Sequence, residues 1–251
     1  MRVDVLGTLE FRFAGREFAL RGPKLRKVLA LLALRANEDV NIDVLAHELW
    51  GENQPATAVM TVRTHIYHLR KWFAALPLAQ EHKPHIASQP YGYRLEVPED
   101  GVDATAFRLL CARGQDLLDA GQVDGAADLF GRALALWRGP VLADVRHGAV
   151  IEQLAAELGG LRERVIEHRL EAELGRGRHR DVVDELRVLV AAQPFNEWRH
   201  AQLIRALHGS GRRAEALGAY QSLRTLLNRE LGVEPSGDVQ RLRGEILRGV
   251  A

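Results

Sequence analysis

Residues Val59 to Trp72 read VMTVRTHIYHLRKW and carry the most regular pattern in the chain. At about 100° per residue, the apolar side chains between positions 62 and 73 fall on one stripe that a helix would bury. The stripe consists of Val62, Ile66, Leu69 and Phe73. The opposite face carries Thr64, Tyr67 and Lys71, with Arg63 and His68 beside them and Arg70 nearer the edge.

These outward side chains are the types with which a helix-turn-helix protein reads a DNA major groove. Ordinary surface helices also carry charges on their exposed face. The neighbouring segments are therefore needed to distinguish a DNA-binding helix from an ordinary surface helix.

The segments before this helix predict short strands and two further helices. Residues 1–22 alternate apolar and polar side chains around a break at Ala14 and Gly15, which favours antiparallel strands. Pro23 stands where a helix begins, and a helical pattern follows from Lys24 to Arg35. A second helix is predicted from Ile42 to Trp50, with Asn41 or Asp43 near its N-cap and Gly51 at its end.

A hairpin is predicted after the third helix. Residues 84–88 (PHIAS) and 93–97 (YRLEV) have strand character, and Pro90, Tyr91 and Gly92 form a turn between them. Strands, three helices and a terminal hairpin, in this order, describe a winged helix. The hairpin would be the wing, which brings Tyr91 and Arg94 near a DNA backbone or minor groove.

The second half of the chain predicts an all-α domain. Residues 98–103 (PEDGVD) are turn-forming and acidic and mark a predicted domain boundary, and the pattern beyond them is helical. The segments GRGR at 175–178 and GSGR at 209–212 lie 34 residues apart, which is the spacing of tetratricopeptide-type helical hairpins. We therefore predict an α+β winged-helix domain over residues 1–97 and a helical-repeat domain over residues 98–251. Such scaffolds bind proteins or dimerise more often than they catalyse.

Composition limits the function classes. The 251 residues are 47% hydrophobic and 27% charged, as in globular proteins. No apolar run approaches the roughly 18 residues of a membrane span, and the first residues lack the layout of a signal peptide, so we expect a cytoplasmic protein without membrane contact. Residues 1–97 carry 13 Lys and Arg against 10 Asp and Glu, a net +3, while the rest carries 21 against 23, a net −2.

Motifs of catalysis are missing from the sequence. It has no Walker loop, no G-x-S-x-G and no H-E-x-x-H, so we expect neither an enzyme nor a cofactor. The single cysteine, Cys111, excludes an intramolecular disulfide and a multi-cysteine zinc site. His65 and His68 have the spacing for a shared metal but lack further ligands at helical spacing, so contact with DNA or solvent is the preferred interpretation.

Several motifs carry a family resemblance along the whole chain. In the first half they are LGTLEF at 6–11, RGPKLRKVLALLAL at 21–34, LAHELWGENQP at 45–55, TVRTHIYHLRKW at 61–72 and PYGYRLEV at 90–97. In the second half they include ADLFGRALALWRGPVLADV at 127–145 and LGVEPS at 231–236. The first half resembles the OmpR-type winged helix. The whole chain is similar to the Streptomyces antibiotic regulatory protein family of bacterial transcriptional activators, either as a small stand-alone member or as the effector part of a longer regulator.

The resemblance implies a function at promoters. Members of the family bind direct repeats upstream of, or overlapping, the −35 region, and recruit RNA polymerase through sigma and other subunits. The genes they control often serve secondary metabolism, such as antibiotic production. We therefore expect a transcriptional activator that works at the nucleoid, with two copies on DNA in head-to-tail order and helical halves that stabilise the pair. A repressor that uses the same DNA-binding domain, and a helical-repeat adaptor that docks proteins, are the alternatives.

The resemblance also implies site residues. The positions that face the major groove are Arg63, Thr64, Tyr67, His68 and Arg70. Tyr67 stands where related winged helices often have arginine. Contacts to phosphate are expected from Lys71, His65, Lys24 and Arg94. The polymerase-facing surface is expected on the loop from Gly51 to Ala56 and the exposed side of the second helix, with residues His47, Glu48, Glu52 and Asn53.

Overall fold

The computed structural model describes residues 2–79 and 83–249. The outer ends of the predicted domains, Met1 and Ala251, lie outside the described residues. Contacts within the chain divide it into two compact units, Met1–Ala120 with Asp128–Val165 and Gly121–Ala127 with Ile166–Ala251. The domain boundary between residues 97 and 98 stays a prediction, because the first unit continues beyond it.

The first unit begins with a three-stranded antiparallel sheet. Its strands, in the order β1-β2-β3, are Arg2–Asp4, Glu10–Phe13 and Arg16–Glu17. Ala14 and Gly15 form the turn between β2 and β3 with φ of 48° and 77°. Two successive positive φ angles match the right-handed twist of a two-residue hairpin, which explains the break in the alternating pattern.

Three helices follow, and the third is the one that opened the sequence analysis. They are α1 (Pro23–Leu34), α2 (Ile42–Trp50) and α3 (Ala58–Ala75). Of the two N-cap candidates of α2, Asn41 is the cap, because its side chain accepts a hydrogen bond from the Asp43 backbone N–H at 2.8 Å. Gly51 ends α2 with φ of 61°. The four stripe residues of α3 are buried, and α3 packs against α1 and α2.

The hairpin after α3 forms a second sheet. Its strands β5 (His85–Gln89) and β6 (Gly92–Glu96) are antiparallel, and the short strand β4 (Val40–Asn41) pairs with β6 to give the order β4-β6-β5. A Cβ atom on Gly92 would lie 1.9 Å from the Val40 carbonyl oxygen, so only glycine lets the two strands approach. The predicted winged helix is confirmed, with this hairpin as the wing.

Seven helices follow the wing within the described residues. They are α4 (Asp103–Asp119), α5 (Val123–Leu134), α6 (Ala149–Gly175), α7 (His179–Ala192), α8 (Glu197–Gly209), α9 (Arg213–Leu231) and α10 (Gly237–Arg248). In the second unit α8 packs against α7 and α9, and α10 packs against α8 and α9.

The 34-residue spacing corresponds to two equivalent turns. Gly177 after α6 and Gly211 after α8 have φ of 74° and 78°. After each glycine the next backbone N–H donates to a carbonyl five residues back, from Arg178 to Glu173 at 3.0 Å and from Arg212 to Leu207 at 2.9 Å. This is the Schellman arrangement that ends a helix with a left-handed glycine.

Two carboxylates, Asp103 and Asp144, explain why the first unit extends past the predicted boundary. Asp103, at the start of α4, is fully buried and accepts the backbone N–H groups of Val5 at 2.7 Å and Leu6 at 2.9 Å. Burial raises the pKa of Asp103, while these two hydrogen bonds favour its charged form. Asp144 accepts the Leu9 N–H at 2.7 Å and pairs with Arg26. The N-terminal strands are thus tied to residues from well beyond the wing.

Candidate nucleic-acid interface

The outward face of α3 is a cationic surface. Its stripe side chains are at most 3% exposed, whereas Tyr67 is 60% exposed. Other exposed residues on this helix include Arg63, Thr64, His68 and Lys71. From Ala58 to Ala75 the sequence contains no aspartate or glutamate, so no carboxylate of the helix itself opposes these cations. A protruding helix with cations, a hydroxyl and an aromatic ring has the side chains that DNA recognition requires.

Arg63 is a cation of this face that is available to an external acceptor. Within residues 2–79 and 83–249 its guanidinium makes no hydrogen bond or ion pair, and the residue is exposed. It borders a cleft that is also lined by Asn41 at the start of α2 and by Tyr91 of the wing. Arginine presents several donors in a fixed planar geometry, which suits bidentate contact with a guanine edge.

Three other side chains of the face have local contacts. The Thr64 hydroxyl donates to the Met60 carbonyl oxygen at 3.0 Å, which leaves its lone pairs and methyl group for a ligand. The rings of Tyr67 and His68 meet edge to face with centroids 5.5 Å apart. These contacts limit the motion of both rings, so that the Tyr67 side chain is held outward.

Arg70 joins α3 to the wing. Its Nε and Nη2 atoms donate to the Ile86 carbonyl oxygen at 3.0 and 2.7 Å, and Nη2 also donates to the Ser88 hydroxyl at 2.9 Å. The guanidinium lies 5.8 Å from the centroid of the Tyr93 ring. These contacts favour a positioning role for Arg70, and the contact with bases expected from the sequence stays a prediction.

The wing presents an aromatic tip and a neutralised cation. Tyr91, in the turn between β5 and β6, is 80% exposed. Arg94 pairs with Asp39, its Nε and Nη2 atoms both lying 2.8 Å from Asp39 Oδ1. Hydrogen bonding to this carboxylate raises the pKa of Arg94. A phosphate would have to compete with Asp39 for Arg94, whereas Tyr91 is open to a ligand.

The other flank of α3 combines Lys24 with His65. Lys24 is exposed at the start of α1, with its Nζ atom 4.7 Å from the centroid of the Trp50 ring. The His65 Nε2 atom is buried and has no hydrogen-bond partner among the described residues. Burial, followed by the charges of Lys24 and His68, lowers the pKa of His65 below its usual 6.5. This shift favours the neutral imidazole, which can still donate an N–H group, so the phosphate contact from His65 stays a prediction.

Glu48 does not belong to an exposed polymerase-facing surface. It is 2% exposed, and its carboxylate accepts the backbone N–H groups of Gly148 at 2.5 Å and of Val150 and Ile151 at 3.0 Å each. These groups begin α6, whose unpaired N–H groups and partial positive charge attract a carboxylate. The prediction of an accessible Glu48 was wrong. The helical pattern of α2 gave no signal of this burial, because the backbone N–H groups that Glu48 accepts come from about 100 residues further along the chain.

The remaining residues of that predicted surface are accessible. Glu52 and Asn53 are exposed in the loop after α2, with the Glu52 side chain 94% exposed. His47 is half-buried, and its Nδ1 atom lies 3.8 Å from Glu52 Oε1. The surface therefore consists of the loop and the last turn of α2, without Glu48. Among the described residues, the helices are all too short or too polar to cross a membrane.

Comparison with known proteins identifies relatives of both parts of the chain. Residues 15–95 match the family described as transcriptional regulatory protein, C terminal, and residues 102–247 match the bacterial transcriptional activator domain. The regulatory protein DnrI of Streptomyces peucetius is 38% identical over 251 residues, which cover 99% of this chain and 92% of DnrI. The regulatory protein AfsR of Streptomyces coelicolor is 36% identical, over 99% of this chain and 24% of AfsR.

A solved relative shares the architecture. The structure of Mycobacterium tuberculosis EmbR in complex with a low-affinity phosphopeptide matches with a TM-score of 0.86 and 32% identity. The match covers 100% of this chain and 65% of the EmbR chain. In sequence, the transcriptional regulatory protein EmbR of Mycobacterium tuberculosis is 33% identical over 97% of this chain and 62% of EmbR. This chain thus spans somewhat less than two thirds of EmbR.

Proposed function

The chain belongs to the Streptomyces antibiotic regulatory protein family of transcriptional activators, and on that basis we propose that it binds promoter DNA sequence-specifically and recruits RNA polymerase. The target is a pair of direct repeats that overlaps or lies upstream of the −35 region. Two copies bind about one helical turn apart, on the same side of the duplex, as a head-to-tail homodimer. The controlled genes serve secondary metabolism, and the protein works at the nucleoid in the cytoplasm. No catalytic step or cofactor is part of the proposal.

One observation carries the DNA-binding part: the outward face of α3 presents Arg63, which has no partner among the residues that the structure describes, beside exposed Thr64 and Tyr67, on a helix without acidic residues. In the proposed complex α3 enters the major groove, where Arg63, Thr64, Tyr67 and His68 meet base edges. Lys71 and Lys24 contact phosphates and supply the salt-dependent affinity. The Tyr91 ring lies against the backbone or minor groove beside α3.

The polymerase contact is proposed for the loop from Gly51 to Ala56 together with His47. Glu52 and Asn53 are exposed there and can reach a partner. Glu48 instead supports this surface from inside, because its carboxylate fixes the last turns of α2 against the start of α6. This arrangement keeps the loop next to α3, so that a polymerase contact and a DNA contact arise from neighbouring segments.

Fluorescence anisotropy with a labelled duplex tests the DNA-binding proposal. A duplex with the promoter's direct repeats and a scrambled duplex of equal composition are titrated at two salt concentrations. We expect the repeat to bind about a thousandfold more tightly than the scrambled duplex, and both affinities to fall as salt rises. Equal affinity for the two duplexes would contradict sequence-specific binding. Absence of binding to both would favour the protein-docking adaptor.

The direction of regulation needs a separate measurement. A purified transcription assay on a promoter with the repeats is run with and without the protein. We expect the transcript level to rise, and the rise to disappear when the repeats are scrambled. A fall in transcript level with intact repeats would identify a repressor that uses the same DNA-binding surface.

A further inference from the structure

A cleft in the first unit borders the proposed DNA-binding surface through Lys24 and the proposed polymerase-facing loop through Gly51 and Asn53, but no role has been given to its interior. It lies between the start of α1, the end of α2 and residues 144–148, and has a volume of about 790 Å³. Sites for small organic molecules in proteins usually measure about 300–1,000 Å³, are concave and are lined mostly by apolar side chains. The size of this cleft suits a small molecule.

The walls of the cleft provide an apolar surface next to cations. Pro23, Leu49, Trp50 and Val145 line it, and the Lys24 ammonium lies 4.7 Å from the centroid of the Trp50 ring. The indole offers a face on which a flat ligand can stack. An apolar wall with a cation at its edge fits a molecule that has an apolar body and an anionic end.

The charges that line the cleft do not cancel. Both acidic residues at its wall are occupied, since Glu48 accepts three backbone N–H groups at the start of α6 and lies 3.8 Å from Lys27, and Asp144 pairs with Arg26. Two further cations, Lys24 and Arg146, line the cleft and are exposed. Neither forms an ion pair within residues 2–79 and 83–249. The cleft therefore carries an excess of positive charge.

The beginning of α1 adds to this positive potential. No side chain caps the helix, its first turn contains no acidic residue, and Gly22 and Pro23 stand at the N-cap and first positions. An uncapped helix start bears a partial positive charge that favours an anion. The helix start with its Lys24, and Arg146 from a second segment, therefore act in the same direction.

We propose that this cleft binds a small organic anion, with an aromatic or aliphatic body against Trp50 and a carboxylate, sulfonate or phosphate group between Lys24 and Arg146. The concave shape favours a small molecule over a duplex, whose backbone presents a convex surface. Binding in the cleft does not depend on the proposed function. Only an effect of the ligand on DNA affinity would depend on it, because Lys24 is also one of the proposed phosphate contacts.

Anilinonaphthalene sulfonate, an aromatic anion whose fluorescence rises in an apolar site, is the probe for the full chain without DNA. We expect one saturable site with energy transfer mainly from Trp50, and a marked fall in transfer in Trp50→Phe, with the remainder coming from the other three tryptophans. Arg146→Gln and Lys24→Gln should each weaken binding about tenfold, because each removes a charged contact worth about 1.4 kcal/mol. Arg229→Gln is the matched control, since Arg229 is an exposed arginine of α9, and it should bind the probe like the unchanged protein.

Competitors separate the anion from the apolar body and from nucleic acid. Naphthoate should displace the probe, whereas the uncharged naphthalenemethanol should do so only at about tenfold higher concentration. Equal displacement by the two, or unchanged affinity in both charge variants, would overturn the proposal. Displacement by a short duplex but not by naphthoate would also overturn it, because the cleft would then be a DNA-contacting surface.

Discussion

The outward face of α3 and the corresponding face of α2 differ in what covers them. On α3 the side chains opposite the buried stripe stay exposed, with Tyr67 at 60%. On α2 the carboxylate of Glu48 is covered by the start of α6, which lies about 100 residues further along the chain. The difference teaches that helical periodicity identifies the face packed against sequence neighbours. It does not show which other face of the helix packs against a segment that is distant in sequence.

The largest effect is expected at the covered face of α2. Glu48→Ala would leave three backbone N–H groups at the start of α6 without their acceptor and would remove the carboxylate that lies 3.8 Å from the Lys27 ammonium. We expect a loss of about 3 kcal/mol in the free energy of unfolding, measured by urea denaturation. Glu52→Ala, four residues on and almost fully exposed, should change it by less than about 0.5 kcal/mol. Similar values for the two variants would show that Glu48 does not hold α6.

The exposed face of α3 is tested by Arg63→Ala. Removal of one bidentate base contact should cost about 2 kcal/mol in discrimination, or roughly a thirtyfold fall in the ratio of affinities for repeat and scrambled duplexes. Arg229→Ala should leave that ratio unchanged. If Arg63→Ala lowers both affinities equally, Arg63 contacts phosphate and does not read the sequence.

Arg70→Ala tests whether Arg70 positions the wing or contacts bases, as Arg63 on the same helix is proposed to do. Its hydrogen bonds to Ile86 and Ser88 would be lost, at about 1 kcal/mol, because the residue is exposed. We expect faster hydrogen exchange at the β5 amides and weaker binding of both duplexes, with their affinity ratio kept. A change in the ratio of affinities for the repeat and scrambled duplexes, without faster hydrogen exchange in β5, would identify Arg70 as a base contact.

The smallest effect concerns pH and His65, which lies between the buried and exposed faces of α3. Its pKa is lowered in the folded protein, so below pH 6.5 the unfolded state takes up the proton more readily. The contribution of neutral His65 to the free energy of unfolding is therefore fully present above pH 6.5. It is lost as the pH falls towards the lowered pKa of the folded state. In His65→Gln the fall in unfolding free energy between pH 7.5 and pH 5.5 should be smaller, by less than about 1 kcal/mol. An equal fall in both proteins would speak against a neutral, buried His65.

Much of the fold followed from local patterns. The bounds of α2, the proline start of α1, the wing and the two glycine turns 34 residues apart were predicted because each depends on residues close in sequence. The apolar stripe of α3 was identified for the same reason. Periodicity, caps and glycine turns act over a few residues, so they can be read without knowing the tertiary structure.

The candidate site was predicted less completely. Exposure of Arg63 and Tyr67 followed from the helical pattern, but the partners of Arg70 and Arg94 did not. Arg70 meets β5 sixteen residues later, and Arg94 meets Asp39, 55 residues earlier. A long side chain bonds whichever acceptor the fold brings within reach. Sequence spacing alone does not specify that acceptor.

The amino-acid sequence by itself determined the winged helix, the order of its elements and the cationic outward face of α3. Helix and strand periodicity, with proline and glycine at the boundaries, is enough for that. Only the tertiary structure decided that Glu48 and Asp103 are buried acceptors for backbone N–H groups and that Arg70 holds the wing. The reason is physical: a buried carboxylate or a docked guanidinium needs a partner within about 3 Å, and the fold supplies that partner from distant parts of the chain.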